Sequence, residues 1–559
     1  MKNYRDLLTR NIDIFTLALN ENKARRGRQS SEEQVGYGVN KLRHLVLDLA
    51  IKGCISEQFE SDEPSSQLIQ RILIKKSEVL SRQKSKTVCN VASKGLGEPF
   101  ELPRNWVWAA LGDIGWTQTG STPPKNDPSM FGSEIPFIKP ADIYKNHVNY
   151  SNEGLTIEGA KTSSRIAKAG SLLMVCIGTI GKCNLIERDC SFNQQINSLT
   201  PCLMNSNYLL LVLRSNYFQK SAWAKSSSTT IPILNKGKWE KILIPIPPLE
   251  EQQRIADKVD ELMSLFDRLE TLITEASQSH DSLVAAYVDR LIKSENLEVF
   301  ENNWISVLEV FDKLFTSEQS VDLLQEALHQ LAVTGKLSTQ NSSDGPAFNL
   351  LNSKTSNQGC EKALPNNWIF ATLDEFALKI TDGEHFRPPT EDSGVYFLSA
   401  KDIRDEGVSL DNPLYISAET ADKALKRCNP EYGDVLIVSR GATVGRTCMV
   451  NIRDVFCLLG SVILIKPGRV LGDYLVLALK SAAIKEKLIN ASGSTAQPAI
   501  YLKDLKKINF PIPPIEEQRR IIQKMKELTN FCEQLKFKIS QSSQLKRKIA
   551  DVLVEQALV

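Results

Sequence analysis

The run ILIPIPPLEEQQRIADKVDEL at residues 242–262 returns as INFPIPPIEEQRRIIQKMKEL at residues 508–528. A chain that repeats such a stretch 266 positions later uses one structural unit twice, and its fold must house both copies. The match extends upstream in the same order. LPRNWVWAALGDI (102–114) is echoed by LPNNWIFATLDEF (364–376), IPFIKPADI (135–143) by YFLSAKDI (396–403), and AGSLLMVCIGTIGKC (169–183) by YGDVLIVSRGATVGRTC (432–448). A second repeat pairs LRHLVLDLAIKGCIS (42–56) with LLQEALHQLAVTGKLS (323–338). Helical and globular pieces alternate in cyclic order, which suits internal pseudo-two-fold symmetry within one chain.

Local patterns sort the pieces. SLLMVCIG and DVLIVSRG are short, β-branched apolar runs that end at glycine, as buried strands do. Gly178 and Gly181, and Gly441 and Gly445, predict tight turns after them. Residues 207–225 and 473–489 read as short helices, so each globular unit is mixed α/β. The proline pairs at 247–248 and 513–514 stop a strand and prepare a helix start. Glu250, Glu251, Glu516 and Glu517 then fall in first turns, where the helix dipole favours negative charge.

A 3.5-residue apolar frame follows each start: Ile255, Val259, Leu262, Phe266, Leu269, Ile273 and Ala276, continuing through Leu283 and Tyr287. In the second copy it runs Ile521, Met525, Leu528, Cys532, Leu535, Ile539 and Ser542, with Ile549 and Leu553 beyond. Each helix is expected to run about 40 residues, roughly 60 Å, which is longer than one small domain requires. The expected architecture is α/β (α+β): two mixed domains joined by two long antiparallel coiled-coil helices. The segments are a helical 1–100, a globular 101–248, a helical 249–345, a globular 346–514 and a helical 515–559.

Several function classes are disfavoured. No apolar run reaches the roughly 18–20 residues of a membrane span, and the charged start lacks a signal-peptide core, so a cytoplasmic location is expected. Eleven cysteines without any C-x-x-C read as small buried hydrophobes, and five scattered histidines argue against a zinc site. There is no G-x-x-x-x-G-K-[ST] and no G-x-G-x-x-G, hence no signature for nucleotide phosphates. Nor is there a proline-proline-aromatic run of the sort that grips a flipped base, or a Ser/His/Asp arrangement. A duplicated chain of this length without a reaction centre reads as a binder or an organiser.

With these features assembled, the chain resembles the specificity subunit of Type I restriction–modification enzymes. The resemblance spans nearly the whole length and rests on both PIPP-[LI]-EEQ helix starts, both L-P-x-N-W unit starts, the paired LA-x-x-G segments and the cyclic order. It implies that each globular unit is a target recognition domain reading one half of a split, asymmetric site in double-stranded DNA. It implies that the helices hold the two domains apart and dock two modification subunits. Those subunits would bring S-adenosylmethionine and adenine methylation, and restriction subunits would bring ATP, Mg and cleavage in phage defence. This chain would carry no cofactor and no catalysis. The alternative is a coiled-coil scaffold that binds protein partners without recognising DNA.

Candidate DNA contacts follow from residue type and place. The hydroxyl-rich loops SSSTTIP and SGSTAQP offer Ser226, Ser227, Thr229, Ser492, Ser494, Thr495 and Gln497 to phosphates. Lys182, Arg440 and Arg446 lie in the glycine turns, where a cation could reach phosphate or a guanine edge. Lys139 and Lys401 are expected at equivalent positions of the two copies, and Gln194 is a candidate for adenine. The divergent loops TGSTPPKNDPSM and TDGEHFRPPTED are the expected seats of specificity. Trp106 and Trp368, shared by both copies, are expected in the core. Residues 364–510 hold 18 Lys/Arg and 18 Asp/Glu, and 102–235 hold 12 and 8, so the phosphate grip of this chain alone is expected to be weak.

Overall fold

The computed structural model describes residues 4–18, 36–82, 98–124, 126–163, 165–227, 231–351, 364–491 and 499–558. They form two compact units, Met1–Glu275 with Ser543–Val559, and Ala276–Ser542. Two 44-residue helices, Leu249–Ile292 and Ile515–Leu558, each contribute one end to each unit.

In the first unit the helix Tyr37–Ile51 buries Val39, Leu42, Leu45, Val46 and Leu49, the spacing of one helical face. A four-stranded antiparallel sheet runs in the order Gly115–Thr119, Ile196–Pro201, Leu172–Val175, Cys183–Leu185. Its third strand is buried along its whole length, as its apolar run predicts. A second sheet sets Phe131–Ile138 parallel to Cys190–Phe192. Val107–Ala110 pairs with Leu243–Ile246, Val107 opposite Ile246, so the chain leaves the domain beside its point of entry. There Pro247 and Pro248 end the strand, and the first long helix starts. Its Ile255 and Val259 are buried, and Val554, Ala557 and Leu558 from the end of the second long helix pack against the same core.

The second unit repeats the plan. The helix Glu318–Ala332 stands where Tyr37–Ile51 stands in the first. The sheet order is Lys379–Asp382, Val462–Lys466, Val435–Val438, Thr447–Met449. Ile369–Thr372 pairs with Asn509–Ile512. Here the last turns of the first long helix (Val284, Val288, Leu291) share a core with the first turns of the second (Ile521, Met525, Cys532). In each unit the beginning of one long helix meets the end of the other, so the pair runs antiparallel, as expected.

The frame needs correction beyond Ile273 and Ile539: Ala276 and Ser542, both placed on it, are exposed. Leu283, placed on the apolar seam by strict heptads, is 50% exposed, while Val284 is fully buried. The counterpart of Val284 in the second copy, Ala550, is fully buried as well. An α-helix drifts about 20° per heptad from a 3.5-residue repeat, so over the four heptads from Ile255 to Leu283 the buried face advances by about 80°, most of one residue.

Nine free cysteines lie among the described residues, and all but Cys54 are buried. Burial pushes the thiols of Cys176, Cys190, Cys428 and Cys448 up to about 12, and those of Cys183 and Cys457 up to about 11. Because the thiolate is the reactive form, iodoacetamide at pH 8 is expected to leave these six unmodified in the native protein and to label them after denaturation. Peptide mass spectrometry reads the difference, and native labelling of Cys176 would contradict the buried strand that precedes it.

Candidate nucleic-acid interface

Each globular domain is fixed to its long helix by the same joint. The second glutamate of the EEQ motif is buried. Glu251 accepts hydrogen bonds from Trp106 Nε1 and Ser56 Oγ, both at 2.8 Å, and burial raises its carboxyl above the usual range. Gln252 Nε2 donates to the Pro247 carbonyl at 2.9 Å, and its Oε1 accepts from the Asn205 N–H at 2.9 Å. Arg254 pairs with Asp62 and lies over the Phe59 ring. In the second unit Glu517 accepts from Trp368 Nε1 (2.8 Å), Ser338 Oγ (2.8 Å) and Gln340 Nε2 (2.6 Å). Gln518 bridges the Pro513 carbonyl and the Leu471 N–H, and Arg520 pairs with Asp344.

Both tryptophans are buried, as expected from their recurrence. Glu251 and Glu517 hold them, a role that the helix dipole alone does not require. The available signal was that Trp and Glu return together in both copies.

Above this joint, one end of each four-stranded sheet gathers the divergent loop after the first strand together with the recurring glycine turn. In the first unit Gly120 bonds Ile196, the Cys176 N–H donates to the Gln195 carbonyl, and the Leu234 N–H donates to the Cys176 carbonyl. The loop after the first strand, the glycine turn 178–181, the turn 193–195 and the loop leading to Leu234 therefore converge on one rim. In the second unit the Gly383 N–H bonds Val462, the Ser439 N–H bonds Ser461, and the Ile500 N–H bonds Ser439. The turns have the backbone their glycines predict: φ is 79° at Gly178, 97° at Gly181, 107° at Gly441 and 83° at Gly445.

The candidate contacts fall into three groups. Thr229, Ser492, Ser494, Thr495 and Gln497 lie outside the described residues. Gln194, Ser226, Ser227 and Arg440 stand at the rims. Gln194 is exposed and accepts from Thr122 Oγ1 at 2.5 Å. Ser226 Oγ donates to the Trp223 carbonyl at 2.7 Å, and Ser227 pairs with Ile233. Arg440 is exposed and pairs through its backbone with Ala499. The third group is held by its own domain. Lys182 donates to the Pro140 carbonyl at 2.8 Å and Arg446 to the Ile403 carbonyl at 3.3 Å, each half-buried. Lys139 pairs with Glu153, and Lys401 donates to the Asn412 carbonyl at 2.9 Å.

The equivalence of Lys139 and Lys401 is corrected. The Lys139 N–H donates to Asp142 Oδ2 at 2.7 Å, and its counterpart is the Ser399 N–H, which donates to Asp402 Oδ2 at 2.9 Å. The buried aspartate sets the register, so Lys139 matches Ser399, and Lys401 matches Ala141. In the second unit the glycine turn with Arg440 and Arg446 also lines a cleft of about 1980 Å³ with His329, Lys480 and Lys485.

The family model for the Type I restriction modification DNA specificity domain matches residues 103–278 and again 365–542, together more than half of the chain. Along its whole length the chain is similar to the EcoAI specificity subunit of Escherichia coli (29% identity, 99% of each chain covered). It is also similar to the EcoEI specificity subunit of the same species (25% identity, 99% of each). The crystal structure of the HsdS subunit from Thermoanaerobacter tengcongensis superposes with a TM-score of 0.41 at 19% identity, over 82% of this chain and 98% of that one. The chain thus belongs to the Type I restriction–modification DNA specificity family, and it carries two target recognition domains.

Proposed function

We propose that this chain chooses the DNA sequence acted on by a Type I restriction–modification complex. Each recognition domain reads one half of a bipartite, asymmetric target through the rim at the open end of its four-stranded sheet. Phosphate contacts position each domain and base-edge contacts specify. The observation that carries this reading is the contrast between a joint built twice from the same residues and rims whose first loops differ between the copies.

The long helices serve as spacer. At about 1.5 Å per residue each spans roughly 66 Å, close to two turns of duplex at about 34 Å per turn. The duplicated helical ends offer two equivalent faces for two modification subunits, and restriction subunits join through the complex. S-adenosylmethionine, ATP and Mg belong to those partners, and this chain adds choice without catalysis, in the cytoplasm. No helix of the described residues is long and apolar enough to cross a membrane.

Domain exchange tests the reading. With residues 364–510 replaced by the equivalent segment of a relative, the methylated adenines of the host genome should keep one half-site and change the other. An unchanged methylation pattern would contradict the assignment of the second domain, and a pattern changed in both halves would contradict its independence.

A further inference from the structure

We propose that Phe386 is a base-contacting residue of the second recognition domain, with no counterpart in the first; this rests on the reading of the rims as DNA-facing. The two rims share a frame. A Cβ on Gly120 would meet the Asn193 carbonyl oxygen at 2.2 Å, and one on Gly383 would meet that of Leu458 at 2.1 Å, so both positions require glycine for the close passage of the strands. Both loops then reach a proline pair, at 123–124 and 388–389. Between glycine and proline the first domain has Ser121 and Thr122. The second has Glu384, His385, Phe386 and Arg387. The insertion carries the aromatic ring.

The ring is held out on a braced stem. The Glu384 N–H donates to the Leu458 carbonyl at 2.7 Å, and the Gly460 N–H donates to the Glu384 carbonyl at 2.7 Å. Arg427, from the helix Ala418–Arg427, donates both to the carboxylate of Asp382 and to His385 Nε2, the latter at 2.9 Å. Phe386 follows at once and is 87% exposed, more than any other large apolar side chain among the described residues. A braced backbone that presents a bare phenyl ring to water has already met much of the ordering cost of a contact.

The contact is with DNA rather than with a partner subunit, because docking faces on a duplicated scaffold recur in both copies. Phe386 stands where the copies differ. A phenyl ring meets DNA through a thymine methyl or by entering an opened base step. Both contacts touch the bases and discriminate among them.

The test uses the complex assembled with its modification subunits, on duplexes carrying the target or a target altered in one half. Phe386→Ala should weaken binding of the intact target about 10- to 100-fold. It should weaken binding of a duplex already altered in the second half about twofold at most, and leave discrimination in the first half unchanged. Phe386→Leu should retain part of the loss, and an unchanged melting temperature should accompany both variants. Wild-type affinity in Phe386→Ala, or equal weakening on target and unrelated DNA, overturns the proposal. The exchange of residues 364–510 separates the two levels. If it shifts the target while Phe386→Ala is silent, only the Phe386 assignment fails; if it leaves the target unchanged, the DNA-reading assignment of the domain fails.

Discussion

Glu517→Ala is expected to lower the melting temperature of the transition in which the second unit unfolds by about 5–15 °C. The carboxylate collects three donors, of which Ser338 and Gln340 can turn to water, whereas Trp368 Nε1 is buried and cannot. An orphaned buried donor costs about 1–3 kcal/mol, and the space left by the side chain adds about 1 kcal/mol. The sum, about 2–4 kcal/mol, converts to melting temperature at roughly 2–4 °C per kcal/mol for a unit of this size. Glu517→Gln keeps an acceptor for the indole and should lose less. The pairing is tested by Glu517→Ala combined with Trp368→Phe: with the donor gone too, the double variant should melt higher than the sum of the single losses allows. Strict additivity would mean that Glu517 acts through something other than the tryptophan. Loss of the joint should also abolish site-specific binding by the assembled complex, because the domain's entry strand and exit strand meet there.

What could be read before the structure was known divides along physical lines. The repeat, the strands ending at Gly178 and Gly441 and the two helix starts were legible because each rests on local chemistry: β-branched runs, glycine at positive φ, proline before a first turn. The burial of Trp106 and Trp368 was legible from recurrence. Their hydrogen bonds were not, because Glu251 and Glu517 lie far away in sequence and the dipole accounts for both glutamates of each pair without any partner. Lys139 and Lys401 were placed at equivalent positions because each stands just before the shared aspartate, but the bonds of the buried Asp142 and Asp402 to the backbone set the register and put Lys139 opposite Ser399. At the rims, residue type could nominate Arg440 or Gln194. It could not show that Lys182 and Arg446 are engaged by carbonyls of their own domain, nor that Arg427 reaches across to His385.

Val284→Asp is expected to destabilise the second unit by more than about 4 kcal/mol, and Leu283→Asp by less than about 0.5 kcal/mol, though strict heptads assign the larger effect to Leu283. Val284 is fully buried in a cluster with Val288, Leu291, Ile521 and Met525, so aspartate there must either carry a charge without water or bind a proton. Leu283 is half exposed, and its replacement leaves the carboxylate in solvent. Urea unfolding followed by circular dichroism measures both, and a greater loss from Leu283→Asp would restore the uninterrupted 3.5-residue frame. The symmetry supplies an independent check on the first unit. Ala550 occupies the same place in the second long helix and is fully buried beside Phe15 and Leu42, so Ala550→Asp should be as damaging as Val284→Asp. A mild Ala550→Asp beside a severe Val284→Asp would confine the change of frame to one helix. It would then have a local cause, because the drift between 3.5- and 3.6-residue periods acts equally on two helices that start at the same motif and run to the same length.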